Sequence, residues 1–502
     1  MQRPALNEVE SIAASRQYKV IPLSTEIYSD MLTPIDVLKK LMNVSKHCFI
    51  LESAEDNKTW GRYTFLGFDP SLEITCINGA MTLTSNLKIN DQVEKKIINT
   101  SNPNEQIQEV LDNHKSIKFN YLPPFTGGLV GYFAYDYAKY CEPALKLDAY
   151  EQSSFDEEKF NDVDLMLFDK VIAFDNYKQK IVLIVNIKTD NIEAEYERGK
   201  TQLENLKKLI KTGSYAQTPA ANIKSDFKSL FTKDEYCQMV TRAKGHIKEG
   251  DIFQVVLSNR YEADFEGSIF DTYRVLRTIN PSPYMFYFSG SNLEIAGASP
   301  ETLVKLHNGK LFTYPLAGTR KRGETDEEDL ALETELLADE KELAEHNMLV
   351  DLGRNDLGKI SKFGTVKVDN YLSILRFSHV MHIGSTVSGD IRDDKKGLDA
   401  INAVLPAGTL SGAPKIRAMQ IINEQEKNKR GIYGGAIGYL DFTGNMDTCI
   451  AIRIVYRRNN KVFIRSGAGI VADSNPESEF QECVNKSAAV MNALKLSSGG
   501  IE

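Results

Sequence analysis

Paired cysteines, long apolar runs and a surplus of basic residues are all missing from this chain of 502 residues. The six cysteines, at 48, 76, 141, 237, 449 and 483, stand far apart with no C-x-x-C pair, so neither a disulfide framework nor a zinc site is suggested. A reducing cytosol fits. No apolar run of about 18 residues occurs, which excludes an ordinary membrane-spanning helix. The opening segment MQRPALNEVESIAASRQYKVIP has no apolar core of signal-peptide length, and a cytoplasmic, unanchored protein is expected. The formal net charge of −9 argues against nucleic acid or an anionic membrane as partner, because both reward a basic surface. An anionic substrate would need local cations such as Arg453, Lys486 or a bound metal, beside glycine loops whose N–H groups take anions.

What is present is an ordinary globular composition, 42% hydrophobic and 26% charged, long enough for two domains. Short β-type runs fill the first third: HCFILES, RYTFLGF, LEITCI, GGLVGYFAYDYA, DLMLFDKVIAFD and KIVLIVNI. They predict a mostly antiparallel sheet. A charged helix near 190–211 leads into TGSYAQTPAANIKSDF, whose small and polar residues read as a linker. The expected division is therefore 1–212, a linker at 213–226, and a second domain at 227–502. In that domain helices and strands come in separate runs, which favours an α+β fold over βαβ repeats.

The chemistry concentrates near the C-terminus. Asn475 and Pro476 signal the start of a helix that follows the glycine loop Ser466-Gly467-Ala468-Gly469. On it, Glu479, Glu482 and Lys486 share a band of about 60°, expected roughly opposite an apolar stripe of Phe480, Val484, Ala488 and Met491. Upstream, a single helix is expected from about Thr325 to Leu352, with a Thr325–Glu328 capping box and Gly353 as its stop. It carries Glu342 and Glu345 one turn apart. Carboxylates gathered from two helices would bind a hard cation, and oxygen ligands without clustered cysteine or histidine point to Mg²⁺. Between these helices, Cys449, Ala451, Arg453 and Val455 alternate with Ile450, Ile452 and Ile454, as along one strand. Buried on both faces, Arg453 would need an anionic partner; at an edge it would lie in water. Asn459-Asn460 predicts a hairpin turn into KVFIRSGAG.

Nine blocks in one order, over roughly 230–495, carry a resemblance: GDIFQVVLSNR, NPSPYMFYF, IAGASPETLV, YPLAGTRKRG, LADEKELAEHNMLVDLGRND, LPAGTLSGAPK, GIYGGAIGYLDF, CIAIRIVYR and SGAGIVADSNPESEFQECVNK. They resemble the chorismate-using enzymes, and within them the large subunit (component I) of anthranilate synthases. FILESAED resembles the tryptophan-binding element of the feedback-inhibited members. The resemblance implies the layered α/β/β/α chorismate-binding fold. It also implies a reaction, in which chorismate and ammonia give anthranilate and pyruvate through 2-amino-4-deoxyisochorismate, with Mg²⁺. By motif, Glu345 and Glu482 would hold the metal, with Glu342 and Glu479 behind them. Gly318, Thr319, Tyr433, Arg453, Gly467, Ala468 and Gly469 would contact substrate, with Lys486 adding positive charge. Glu301 would be the general acid that protonates the departing C4 hydroxyl, a role that requires a raised pKa. His382 would assist aromatisation and pyruvate loss.

Three positions separate the branches of the family. Gln254 stands where isochorismate and salicylate synthases are expected to have a water-activating lysine, which makes ammonia the implied nucleophile. Ala317 stands where aminodeoxychorismate synthases typically carry a lysine, and Thr409 fits the amine-transferring branch. The alternatives are an aminodeoxychorismate synthase component I or a non-catalytic, tryptophan-responsive subunit. Ser53, Pro283, Tyr284 and Met285 would surround the inhibitor L-tryptophan, with Leu51 and Glu52 shaping the slot. No cysteine sits in a G-x-C-x-G turn, so the implied ammonia comes from a separate glutamine amidotransferase subunit.

Overall fold

The computed structural model describes residues 2–54, 60–85, 87, 93–145, 159–376 and 380–501. Glu55 and Asp56 of the FILESAED element lie outside them. The chain is α+β, built on one 13-stranded and one 12-stranded sheet whose strand pairs are antiparallel. Every β-type run of the first third forms strand, including Cys48–Glu52, Tyr63–Phe68, Leu72–Ile77, Gly128–Phe133, Val163–Phe168 and Lys180–Lys188.

Strands from either side of 213–226 share both sheets. Cys48–Glu52 pairs with Tyr284–Ser289 in the larger sheet, with Met285 opposite Glu52. Gly128–Phe133 pairs with Ala436–Asp441 in the other, with Phe133 opposite Ala436. Between the sheets lies an aromatic core that includes Phe49, Phe65, Phe125, Phe286, Tyr439 and Phe463. Helices cover the outer faces: Ile192–Thr212, Phe270–Ile279 and Pro476–Ser497 on the larger sheet, Glu340–Gly358 and Gly397–Val404 on the other. Each helix buries one apolar stripe, which produces the α/β/β/α layering. Among the described residues no helix is long and apolar enough to cross a membrane.

Three local expectations need correction. The helix expected over Thr325–Leu352 is two helices, Asp326–Ala338 and Glu340–Gly358. Asp339 divides them: its carboxylate accepts from Lys341 N (3.1 Å) and Glu342 N (3.2 Å), which starts a new helix. That helix runs through Gly353. The segment 449–455 is likewise not one strand. Met446–Ile450 belongs to the smaller sheet and Ile454–Arg458 to the larger, with Arg453 in the left-handed region (φ 52°) at the bend between them. The C-terminal helix does begin at Pro476, with Asn475 capping Glu477 and Ser478. Its buried face, however, is Cys483, Ser487, Val490 and Leu494, while Ala488 is exposed. Ser466 Oγ bonds Cys483 O at 2.7 Å, so small polar residues pack against the glycine strand where larger apolar ones were expected. The Asn459–Asn460 turn forms as expected, with φ of 50° and 58° and Arg458 paired to Lys461.

Candidate active site

Two adjacent crossings between the sheets create the site. One runs from strand Leu293–Ser299 through Pro300 and Glu301 into Thr302–His307; the other is the Arg453 bend. They are laced together by Ile450 N–H to Glu301 O (2.9 Å), Ala298 N–H to Arg453 O (3.2 Å) and Ser299 Oγ to Ile450 O (2.7 Å). Where the strands part, a cleft of about 930 Å³ opens, and both side chains line it. Neither of the two surroundings considered for Arg453 applies. It is exposed into this cleft, near enough to Glu301 for their charges to interact.

Glu301 is half-buried in the wall, and its Oε1 accepts from Thr409 Oγ1 at 3.0 Å. Burial pushes its carboxyl up to about 7, against the opposing pull of Thr409, Lys486 and Arg453. A carboxyl that keeps its proton near neutrality has the property a general acid needs. Thr409 stands on the short turn Gly408–Leu410.

His382 lies on strand Val380–Asp390, opposite Thr319. A bulge at Gly318, whose φ is 66°, turns that carbonyl toward the imidazole. His382 Nδ1 is 2.9 Å from Gly318 O and 3.0 Å from Thr319 Oγ1. Since a carbonyl only accepts, Nδ1 carries the hydrogen and Nε2 the lone pair. Burial, with Arg453 adding to it, holds the ring's pKa below its usual value and keeps it neutral.

The floor is strand Lys461–Ile470. A Cβ on Gly469 would lie 2.7 Å from Gln254 Nε2, and one on Gly467 would meet Leu257 O at 2.7 Å and Tyr433 Oη at 3.0 Å. Both glycines, Gln254 and Tyr433 line the cleft. Ala468 does not: alternation turns its side chain into the core beside Val255 and Cys483, where it is fully buried. Any contact it makes with substrate would therefore be through its backbone and not its methyl group.

The acids border the opening. Measured from Glu479, the band of Glu479, Glu482 and Lys486 spans about 60° and abuts the buried face instead of opposing it, which aims it at the cleft rim. Glu345, Glu479, Glu482 and Lys486 line the cleft. Lys486 Nζ pairs with Glu482 Oε1 at 2.6 Å and reaches Gly467 O at 3.3 Å. Burial first, then the charges of Glu342 and Glu482, push the Glu345 carboxyl up. Glu479 rises for similar reasons, burial first and then the like charge of Glu482. Glu342 stands behind, its carboxylate 3.3 Å from a Cβ position at Gly318. Mutually repelling carboxylates on two helices form a donor set suited to a hard cation that also keeps water or substrate oxygens. A tighter trio, His246, Glu249 and Asp251, does not line the cleft, and Asp251 is already held by Arg417 at 2.8 Å.

The other elements singled out from sequence also meet. Ala54 N–H donates to Ser282 O at 3.1 Å, which seats Ser53 beside Pro283, Tyr284 and Met285. Met285 is buried in the core, and Glu52, opposite it, is clasped by Arg277 at 2.7 and 2.8 Å. Sequence reasoning missed Lys341, which lines the cleft one helical turn before Glu345, a spacing that could have revealed it. It also missed Phe253, 74% exposed at the cleft.

A family model described as chorismate binding enzyme matches residues 46–492. The chain is 44% identical over 500 residues to an anthranilate synthase component 1 from Acetivibrio thermocellus, covering 98% of each. It is 45% identical over 496 residues to one from Aquifex aeolicus, again covering 98% of each. The crystal structure of anthranilate synthase component I from Streptococcus pneumoniae TIGR4 superposes with a TM-score of 0.74 at 37% identity, covering 92% of this chain and 98% of that one. With a matching family model over most of its length and relatives aligned nearly end to end, this chain belongs to the chorismate binding enzyme family.

Proposed function

We propose that this chain is the component of an anthranilate synthase that aminates chorismate. The observation that carries the reading is Glu301, a carboxyl that holds its proton to about pH 7 in a cleft lined by Arg453 and Lys486. Tyr433, Arg453 and the strand at Gly467 and Gly469 bind the two carboxylates and the ring. Ammonia attacks C2, the double bonds shift, and the C4 hydroxyl leaves as water with the Glu301 proton. His382, neutral and basic at Nε2, then assists the loss of pyruvate that makes the ring aromatic. Glu345 and Glu482 would hold Mg²⁺, with Glu342 and Glu479 behind them; when bound, the ion supplies positive charge to the ring carboxylate. Gln254, a neutral amide, cannot activate water as a general base, and Ala317, also in the cleft wall, offers no amine to the ring.

The reading extends to regulation and supply. L-tryptophan would bind at Ser53, Pro283, Tyr284 and Met285 and inhibit. In function 1–212 would be the regulatory part and 227–502 the catalytic part, although their strands share both sheets. A separate glutamine amidotransferase subunit would deliver the ammonia. All six cysteines are free, which fits a cytoplasmic location. Incubating the purified chain with chorismate, ammonium and Mg²⁺ should yield fluorescent anthranilate, suppressed by L-tryptophan. A para-amino product, or none, would refute the assignment.

A further inference from the structure

Behind the cleft floor lies a buried charge cluster with no place in the reaction above. Glu426, Arg430 and Arg465 are 2%, 2% and 1% exposed. The Glu426 carboxylate accepts from Ser258 N (2.8 Å), Ser258 Oγ (2.9 Å), Arg430 Nη2 (2.6 Å) and Nε (3.0 Å), and Arg465 Nη2 (2.7 Å). A buried triad is costly unless its hydrogen-bonding groups are satisfied; Arg465 also donates to Ser258 Oγ (2.8 Å) and Asn428 Oδ1 (2.9 Å), and the remaining donors of Arg430 go to backbone that walls the cleft. Arg430 Nη1 reaches Leu410 O at 2.6 Å and Nη2 reaches Val256 O at 2.6 Å. Leu410 closes the turn that carries Thr409, and Val256 lies two residues beyond Gln254. Arg465 bonds Lys429 O at 3.0 Å and sits two residues before Gly467. One carboxylate therefore fastens three walls of the site.

We propose that Arg430 is a positioning residue: through the Leu410 carbonyl it fixes the Gly408–Leu410 turn so that the Thr409 hydroxyl stays on Glu301. Its effect on rate rests on the general-acid role given to Glu301, whereas its effect on the carboxyl does not. A hydroxyl that donates to a carboxylate favours the ionised form, so its loss makes Glu301 hold its proton more tightly. The charges acting on Glu301 are Lys486 from the C-terminal helix and Arg453 from the bend, with His382 and Tyr433 in the same cleft. None of these groups is removed by a substitution at 430.

Arg430→Lys keeps the charge and reaches Glu426, but a single ammonium cannot reproduce the guanidinium fork across both carbonyls. The Glu301 carboxyl is titrated in the full chain by isotope-edited infrared spectroscopy, its band assigned by its absence in Glu301→Gln. Arg430→Lys and Thr409→Val should each raise the midpoint by about one to two pH units, the size expected for one hydrogen bond to a charged group. The double variant should move no further than Thr409→Val alone. In turnover, kcat should fall about tenfold with KM for chorismate nearly unchanged. An unmoved midpoint in folded Arg430→Lys, or additive shifts in the double variant, would overturn the proposal. Should Arg430→Lys not fold, Glu426→Gln, which loosens Arg430 from its other side, is judged by the same two criteria. Because the infrared readout needs no turnover, a failure to make anthranilate counts against the proposed reaction and not against this coupling.

Discussion

Tyr284 and Thr302 are joined hydroxyl to hydroxyl at 2.9 Å, so the proline-rich turn touches the residue next to Glu301. Tyr284 also bonds Asp447 at 2.8 Å and pairs in register with Ser299. A ligand seated at Ser53 and Pro283 therefore has a path of two residues to the candidate general acid. Inhibition would need an element on that path with two states, and the crossing 299–302 is the nearest segment for that role. Tyr284→Phe removes the bridge and keeps the ring. The L-tryptophan concentration for half-inhibition should rise about tenfold, within the usual range of coupling energies. Titrating anthranilate formation with tryptophan checks it, and an unchanged curve would detach regulation from this hydroxyl.

Glu301 links catalysis to stability through pH. Its folded pKa of about 7 lies above the ordinary glutamate value of 4.5, so across that window the native state holds a proton that the unfolded chain has released. Stability conferred below about 4.5 is accordingly lost as pH rises toward about 7. Glu301→Gln removes this loss. It should be more stable than the parent by about 1–3 kcal/mol at pH 8, allowing for cleft water, and no more stable at pH 4. Its kcat should drop about 10²- to 10⁴-fold. Parallel denaturant midpoints for the two proteins across pH would mean that this carboxyl is not held neutral.

How much of this was legible in sequence depended on range. Asn475 with Pro476, and the Asn459–Asn460 turn, are local chemistry and appear where expected. Spacing also marked the acids of both helices, but it misjudged their setting. Cys483 buries because Ser466 of the glycine strand offers it a partner, and Ser487 buries one turn on with its hydroxyl on Val484 O, which turned the apolar stripe and moved Glu479 and Glu482 to the cleft rim. The Asp339 break was hidden because an aspartate amid acidic residues looks like more helix surface until its side chain caps two N–H groups. Alternation through Arg453 suggested one strand, since no local signal announces a change of sheet. Glu426 and Arg465, 39 residues apart, read singly as surface charges; only tertiary structure pairs them at 2.7 Å.

Removing the acids proposed to hold Mg²⁺ should separate binding from folding. Glu345→Gln relieves repulsion in the metal-free protein, and Glu482→Gln relieves it at the cost of a largely exposed pair with Lys486 that contributes little, so neither should lower its unfolding temperature appreciably. Mg²⁺ should raise the unfolding temperature of the parent and not that of the double variant. Turnover at saturating ammonium should fall at least about 100-fold in either single variant, and about 10- to 100-fold for Glu342→Gln, which acts from behind. Equal Mg²⁺ stabilisation of parent and double variant would remove the ion from this rim.

The two floor glycines should fail differently when a methyl group is added. At Gly469 the new Cβ would meet Gln254 Nε2 at 2.7 Å, the far end of a side chain that can swing aside. Gly469→Ala should then fold with stability close to the parent while the displaced amide invades the cleft, raising KM for chorismate at least tenfold. At Gly467 the Cβ would meet Leu257 O at 2.7 Å, a paired backbone carbonyl of the neighbouring strand, and Tyr433 Oη at 3.0 Å. Backbone cannot rotate away, so Gly467→Ala should cost about 1–3 kcal/mol of stability as well as activity. Shortening the obstructing side chain gives the decisive comparison. Gln254→Ala should restore chorismate affinity in the Gly469→Ala protein, whereas Tyr433→Phe should leave most of the Gly467→Ala defect in place, because the carbonyl remains. Denaturant unfolding and KM, measured on all four variants beside the parent, test both halves. Equal stability losses at the two positions would show that the strand, rather than Gln254, sets the limit at Gly469.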